Sequence, residues 1–215
     1  MSNPQRALVL VDIQQDYFED SPLVIQHPSR EDSLAKITEA IDAANAADIP
    51  VIMVQHTMGS GAPVFDPDSS GFEVRPEVRE RKRDGWKNVV KEFGSVYAGT
   101  DVAQWLRDRN VDTVTLVGYM TNNCILASAV EGEGLGFNTE VLRDATGAIN
   151  IANSAGFADA GTVHSTLMTV LNSNFAAVAT TTDWTAALES GEALPKSDLG
   201  SSAIAGAQEA ASSVA

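Results

Sequence analysis

Short, unbroken apolar runs alternate along this chain with stretches of helical period, and that alternation restricts the fold more than any other feature. Ala7-Leu8-Val9-Leu10-Val11 is apolar throughout and ends on a charge, Asp12. Val51-Ile52-Met53-Val54, Thr113-Val114-Thr115-Leu116-Val117, Thr139-Glu140-Val141-Leu142 and Phe175-Ala176-Ala177-Val178-Ala179 read the same way, and Asn88-Val89-Val90-Lys91 is a shorter sixth. Runs of this length without polar alternation suit strands buried on both faces, as in parallel sheets. Between them, Ser33 to Ala47 places apolar residues at 34, 37, 41 and 44, a helical stripe. Thr100 to Arg109, with Thr100 as N-cap, Asn122 to Leu135, and Ser154 to Leu171 are the other expected helices. Strands alternating with helices predict an α/β fold with a mostly parallel sheet of about six strands.

The 215 residues suit one such unit, expected over 1–185, followed by an Ala- and Ser-rich tail, 186–215, with little to bury. Residues 57–87 are rich in Gly, Pro and Asp without a steady period and read as a long excursion, a common place for function. No apolar run reaches the roughly 18–20 residues of a membrane helix. Met1 to Arg6 runs directly into the first strand and leaves no room for a signal peptide, so the expected location is cytoplasmic and no membrane partner is expected. A net charge of −15 repels phosphate backbones and argues against nucleic acid as a partner. The one basic cluster, Arg75, Arg79, Arg81, Lys82, Arg83 and Lys87, reads as a solvated face.

In an open parallel sheet, sites form beyond the carboxyl ends of the strands. Asp12 ends the first run, Lys91 follows Val89-Val90, and Cys124 lies just past the strand ending at Val117, at the start of the next helix. Cys124 is the only cysteine, so no disulfide within the chain and no multi-thiolate site is available. A thiol attacks as thiolate, which a helix start and a neighbouring cation favour. A carboxylate at hydrogen-bond distance can take the thiol proton and return it to a leaving amine. Asp12, Lys91 and Cys124 supply those three groups. The turn from Met120 to Cys124 offers backbone N–H groups to an oxyanion. Each residue also has an ordinary reading: a strand-end cap, a surface lysine, a core thiol.

These segments resemble the isochorismatase-like hydrolases. Ala7 to Tyr17 carries an Asp-x-Gln at Asp12 and Gln14. Val90 to Thr100 is similar to that family's lysine segment before a Gly-Thr-capped helix. Val117 to Cys124 matches a Gly-x-x-Thr-x-x-Cys turn, and Gly136-Phe137 and Leu142-Arg143-Asp144-Ala145 match the strand that follows. The resemblance spans about residues 6–184. It implies a three-layer α/β/α sandwich and a catalytic triad of Asp12, Lys91 and Cys124. It also implies a cis peptide between Tyr119 and Met120, with the Met120 and Cys124 N–H groups forming the oxyanion hole.

A cysteine at 124, where isochorismatases proper usually carry glycine, favours the branch that cleaves small amides, carbamoyl compounds or ureides through a thioester. Nicotinamidases in that branch bind a metal through an Asp-x-His and further histidines. Here the matching region reads Val54-Gln55-His56-Thr57-Met58, no Asp-x-His occurs, and the chain holds only His27, His56 and His164. No metal and no cofactor are therefore expected. Tyr17, His56, Trp86 and Tyr119 are candidates for the substrate pocket, and Phe65 and Tyr97 lie on nearby segments. The resemblance implies a homo-oligomer, dimer or tetramer, and a small-molecule substrate. Two other readings stand beside the C–N hydrolase: vinyl-ether cleavage with Asp12 as acid, and a non-catalytic structural member.

Overall fold

A computed structural model describes residues 3–18 and 21–212. In chain order its elements are β1 (Arg6–Val11), α1 (Arg30–Ala46), β2 (Val51–His56), α2 (Pro76–Arg79), β3 (Lys87–Lys91), α3 (Val102–Arg107), β4 (Thr113–Tyr119) and α4 (Leu126–Gly134). They continue with β5 (Asn138–Gly147), β6 (Ile151–Asn153), β7 (Gly156–Ala158), α5 (Ala160–Val170), β8 (Ala177–Ala179), α6 (Thr181–Ser190) and α7 (Leu199–Ser212). Six strands form one sheet in the order β3-β2-β1-β4-β5-β8, and every neighbouring pair is parallel. β6 and β7 make a separate antiparallel hairpin.

The apolar runs explain the two layers of helices. Successive β1 side chains point to opposite faces. Leu8 and Leu10 pack with Ile37 and Ile41 of α1 and Trp184 of α6. Ala7, Val9 and Val11 pack with Leu106 of α3, Ala129 of α4 and Met168 of α5. The result is a three-layer α/β/α sandwich. Its strand order reverses direction between β1 and β4, and in open α/β sheets sites form at the strands' carboxyl ends beside such a switch point. Among the described residues, no helix is long and apolar enough to cross a membrane.

Several boundaries differ from expectation. α1 starts earlier, at Arg30, because Ser29 accepts the Asp32 N–H and caps it. Asp101, not Thr100, is the N-cap residue of α3; the Thr100 hydroxyl donates to the Val96 carbonyl and accepts the Val102 N–H at 3.3 Å. The helix expected from Ser154 begins only at Ala160, where the Asp159 carboxylate takes the Thr162 N–H. Residues 151–158 form the hairpin, turning through Ser154-Ala155, where Asn153 Oδ1 accepts the Ala155 N–H at 2.8 Å, and re-entering the ladder at Gly156, whose φ is 146°. Phe175 belongs to a π turn, Leu171–Phe175, rather than to the last strand. The expected boundary at 185 falls inside α6, which runs from the Thr180–Asp183 capping box to Gly191. The tail beyond it holds a 14-residue helix, α7, with no buried residue, and residues 213–215 of the tail lie outside the described residues.

Candidate active site

The switch point gathers the three residues of the sequence reading. Asp12 follows β1 directly, its N–H bonded to the Val54 carbonyl at 3.0 Å and its φ at 50°. That left-handed conformation is one that aspartate tolerates better than most residues, and it turns the chain off the sheet. Lys91 ends β3, paired in register with His56 at the end of β2. β3 lies two positions from β1 in the sheet, with β2 between them, so the long lysine stem is what lets its ammonium reach Asp12. Cys124 follows β4. There the chain passes Gly118 and a cis Tyr119–Met120 bond into a π turn, Thr121–Ile125, closed by Ile125 N–H to the Met120 carbonyl at 3.2 Å. Cys124 therefore sits in a wide turn before α4 rather than in the first turn of an α-helix, as the sequence suggested. Met120 and Cys124, the residues expected to supply oxyanion donors, lie at the entry to this turn and within it.

Lys91 joins the group. Its Nζ lies 2.7 Å from Asp12 Oδ2 and 3.3 Å from Cys124 Sγ, and it also donates to the Phe93 carbonyl at 3.1 Å. Burial is nearly complete: Asp12 is 0%, Cys124 1% and Lys91 2% exposed. Burial pushes the Asp12 carboxyl pKa up, opposed by the Lys91 charge and by hydrogen bonds from Lys91 and Cys124. It pushes the Cys124 thiol up to about 12; the Asp12 charge adds to this and Lys91 opposes it. The resting cysteine is thus a neutral thiol beside a carboxylate of raised basicity. Such a pair can pass a proton from sulfur to oxygen as a bond forms at sulfur.

His56 stands at the group's edge, its Nδ1 3.2 Å from Lys91 Nζ. Burial first, and the Lys91 charge second, lower its pKa to about 4, so it is neutral near pH 7. Gln14 fixes its backbone from both sides: its Oε1 accepts the His56 N–H at 2.7 Å, and its Nε2 donates to the His56 carbonyl at 3.0 Å. The Asp-x-Gln pattern was visible in sequence, but the role of its glutamine was not. The Phe65 ring meets Tyr17 at 5.2 Å and His56 edge-on at 5.3 Å, with its N–H held by the Asp16 carboxylate. On the far side of the Thr121–Ile125 turn, Thr121 Oγ1 lies 3.0 Å from His164 Nδ1. His164 is lowered to about 4, chiefly by burial.

Of the expected pocket residues, the structure brings Tyr17 and His56 to the group and takes two others away. Trp86 precedes β3, at the opposite end of the sheet, where its Nε1 faces Asn45 Oδ1 at 3.4 Å beside Pro50 and Trp105. Four residues of strand separate it from Lys91, too far for a side chain to span. Tyr119 is core: its ring packs on Tyr17 and Phe18, and its hydroxyl bonds Ser33 Oγ at 2.8 Å. Tyr97 stacks on Phe137 in the layer under α4. The basic cluster is largely paired, Arg79 with Glu73, Arg81 with Asp42 and Lys87 with Asp101. Among the described residues, no group of three or more His, Cys, Asp or Glu side chains is placed to hold a metal ion. The Phe93 carbonyl, a backbone group, left no mark in the sequence that could have identified it.

Comparison with known proteins agrees with the fold. The isochorismatase domain family matches residues 6–183. A crystal structure of an isochorismatase-family protein from Burkholderia xenovorans LB400 superposes with a TM-score of 0.94 at 41% identity, covering 98% of this chain and 100% of its own. A cysteine hydrolase from Pseudomonas syringae pv. phaseolicola 1448A gives a TM-score of 0.80 at 25% identity, covering 89% of this chain and 95% of its own. The maleamate amidohydrolase of Pseudomonas putida is 42% identical over 59 residues, 27% of this chain and 28% of that protein.

Proposed function

The chain belongs to the isochorismatase family of hydrolases, and from that premise we propose that it cleaves a small amide, carbamoyl or ureide C–N bond through a thioester on Cys124. The observation that carries this reading is Lys91, whose ammonium touches both Asp12 and Cys124 in a site from which water is nearly excluded. The names of two relatives, a cysteine hydrolase and an amidohydrolase, point the same way.

In the proposed mechanism, Asp12 takes the Cys124 proton as sulfur adds to the substrate carbonyl. The oxyanion is held by the Met120 and Cys124 N–H groups. Collapse breaks the C–N bond, and the leaving amine carries off the proton stored on Asp12. A water molecule, deprotonated by Asp12, then opens the thioester; the acid leaves and the thiol regains its proton. Lys91 keeps a positive charge beside sulfur and carboxylate throughout. Tyr17 and His56 line the pocket. The chemistry uses no metal, in keeping with a sequence that lacks the Asp-x-His pattern, and we place the enzyme in the cytoplasm as a homo-oligomer.

The test is a panel of small amides, carbamoyl compounds, ureides and isochorismate, with Cys124→Ala as control and with a chelator in parallel. Ammonia or amine release is expected with the parent protein, unchanged by chelation, and slower by about three orders of magnitude or more in Cys124→Ala. Amide turnover within about tenfold of the parent in that variant overturns the thioester. Isochorismate cleavage that Cys124→Ala leaves intact assigns the site to Asp12-catalysed ether hydrolysis instead.

A further inference from the structure

Charge is spread unevenly over this molecule. The chain is 20% charged, yet from Ala145 to Thr182 the single Asp, Glu, Lys or Arg is Asp159. α7 is a second sparse stretch, with Glu209 as its one charge. A well-solvated surface carries roughly 25–35% charged residues, so such stretches belong in a core, and much of these is not there. The β6–β7 hairpin is exposed from Ala152 to Phe157, with Phe157 at 71%. α5 buries Ala160, His164 and Met168 but turns Thr162, Ser165, Thr166, Thr169 and Val170 to solvent. α7 shares a cleft with Met168, Thr169 and Asn172 through Ser201, Ser202 and Ala205, which leaves Leu199, Ala203, Ile204 and Ala207 on its outer side. The hairpin leads straight into α5 and α7 lies against the far end of α5, so the three adjoin.

We propose that a second copy of this chain docks on this uncharged face. The inference gives a surface to the homo-oligomer proposed above and rests on that part of the reading, not on the hydrolytic chemistry. Charge selects the occupant. Each copy carries a net −15, so two copies repel one another over most approaches. They meet at least cost where neither has ions to oppose or to strip of water. A basic partner is drawn instead to the acidic remainder of the surface, and an anionic membrane is repelled by it. The composition also fits. Ser and Thr on α5 and Ala on α7 let helices approach closely, while Phe157, Val170, Leu199 and Ile204 supply exposed apolar area. The Asp159 carboxylate is already taken by the Thr162 N–H and hydroxyl. Arg143, in the cleft under α7, and Glu209 border the face as a rim does. α7 itself needs cover: it has 14 residues and buries none of them, and an isolated helix of that length is marginal in water. One face used by both copies gives a closed twofold pair.

The test is sedimentation of the full chain from about 1 to 100 µM in about 0.15 M salt, with circular dichroism as a check on folding. Thr166→Glu and Ile204→Glu together put one carboxylate on α5 and one on α7, and a twofold axis presents each of them twice. The parent should sediment as a dimer or a higher even oligomer. The double variant should be monomeric over the same range, its association weaker by about 100-fold or more. Ala35→Glu adds a charge at an exposed position on α1, in the opposite layer, and should associate as the parent does. An oligomer that survives in the double variant overturns the inference. So does dissociation in Ala35→Glu to the same extent, which would trace the effect to total charge rather than to this face. A parent that is monomeric at the highest concentration removes the homo-oligomer and this inference together. If the double variant does not fold, Phe157→Glu on the hairpin takes its place with the same expectation. Turnover is followed separately: an associating parent without amide hydrolysis loses the hydrolytic reading and keeps this one.

Discussion

Removing the Lys91 side chain withdraws the positive charge that favours Cys124 thiolate, so Lys91→Ala should raise the thiol pKa and slow alkylation at neutral pH by about tenfold or more. Labelling at the parental rate would remove the lysine from that role. Asp12→Asn keeps the shape of the side chain and tolerates the same backbone conformation, but its amide cannot take the thiol proton. Amide hydrolysis should fall by about 10²–10⁴-fold with the fold intact, read from kcat and a thermal melt. Burial raises the Asp12 pKa, and in the proposed mechanism Asp12 must be ionised to act. The acid limb of the kcat/KM profile should therefore lie above the ordinary carboxylate value of 3.8, with activity lost as pH falls through it. The three residue types at strand ends were readable in the sequence. That Lys91 also holds His56, and that Gln14 holds His56 in turn, was not, because those contacts join residues 35 and 42 positions apart in the chain.

At the scale of elements, two features tie the strands that carry the site. Gly118 has a φ of 106°, and a Cβ there would collide with the Val11 carbonyl oxygen of β1. Gly118→Ala should thus push β4 from β1 just where Asp12 and the turn that carries Cys124 emerge. A loss of about 2–4 kcal/mol in denaturant unfolding is expected, with activity falling further than stability explains. Stability within about 0.5 kcal/mol of the parent would refute the close contact. At the opposite end of the sheet, Arg6 of β1 forks onto Glu140 of β5 at 3.0–3.1 Å, and Thr115 and the Trp184 indole donate to the same carboxylate at 2.7 and 3.1 Å. This pair is buried, 2% and 4% exposed at the side chains. Glu140→Ala strands a guanidinium in the core and should cost about 3–5 kcal/mol, whereas Arg6→Met combined with Glu140→Met should cost much less. Equal losses in the single and double variants would mean the pair itself stabilises the fold. The sequence placed Glu140 in a strand and Arg6 just before one but did not show them as partners; a charge inside the run at Glu140 was the available signal.

For the molecule as a whole, the two depressed histidines set the response to acid. His56 and His164 titrate near 4 when folded, against 6.5 when not. As pH falls through that window the unfolded chain takes up protons that the folded protein refuses, so stability rises with pH there and is lost on acidification. Discounted for partial exposure, the loss is about 2 kcal/mol for the pair, a drop of several degrees in Tm between pH 6.5 and about 4. His164→Gln should flatten the dependence of Tm on pH; an unchanged slope would contradict the assignment. The sequence by itself determined the layering, because unbroken apolar runs can be satisfied only by strands covered on both faces, and period and capping residues marked most of the helices between them. It also put Asp12 and Lys91 at the ends of strands, and so within reach of a site, although β2 and β4 run on to His56 and Tyr119, two residues past the apolar runs. Tertiary structure alone decided the rest. Trp86 and Lys91 are near neighbours in sequence yet stand at opposite ends of one strand. Tyr119 turned into the core, and Ser154 to Ala158 became a hairpin. Strand order, not local composition, brought β1, β2, β3 and β4 side by side so that one ammonium could pair with Asp12 and bond His56, the Phe93 carbonyl and Cys124. The physical reason is that local sequence fixes backbone conformation and which face is buried, whereas the distance between two side chains depends on register and crossover, which only the packed sheet supplies.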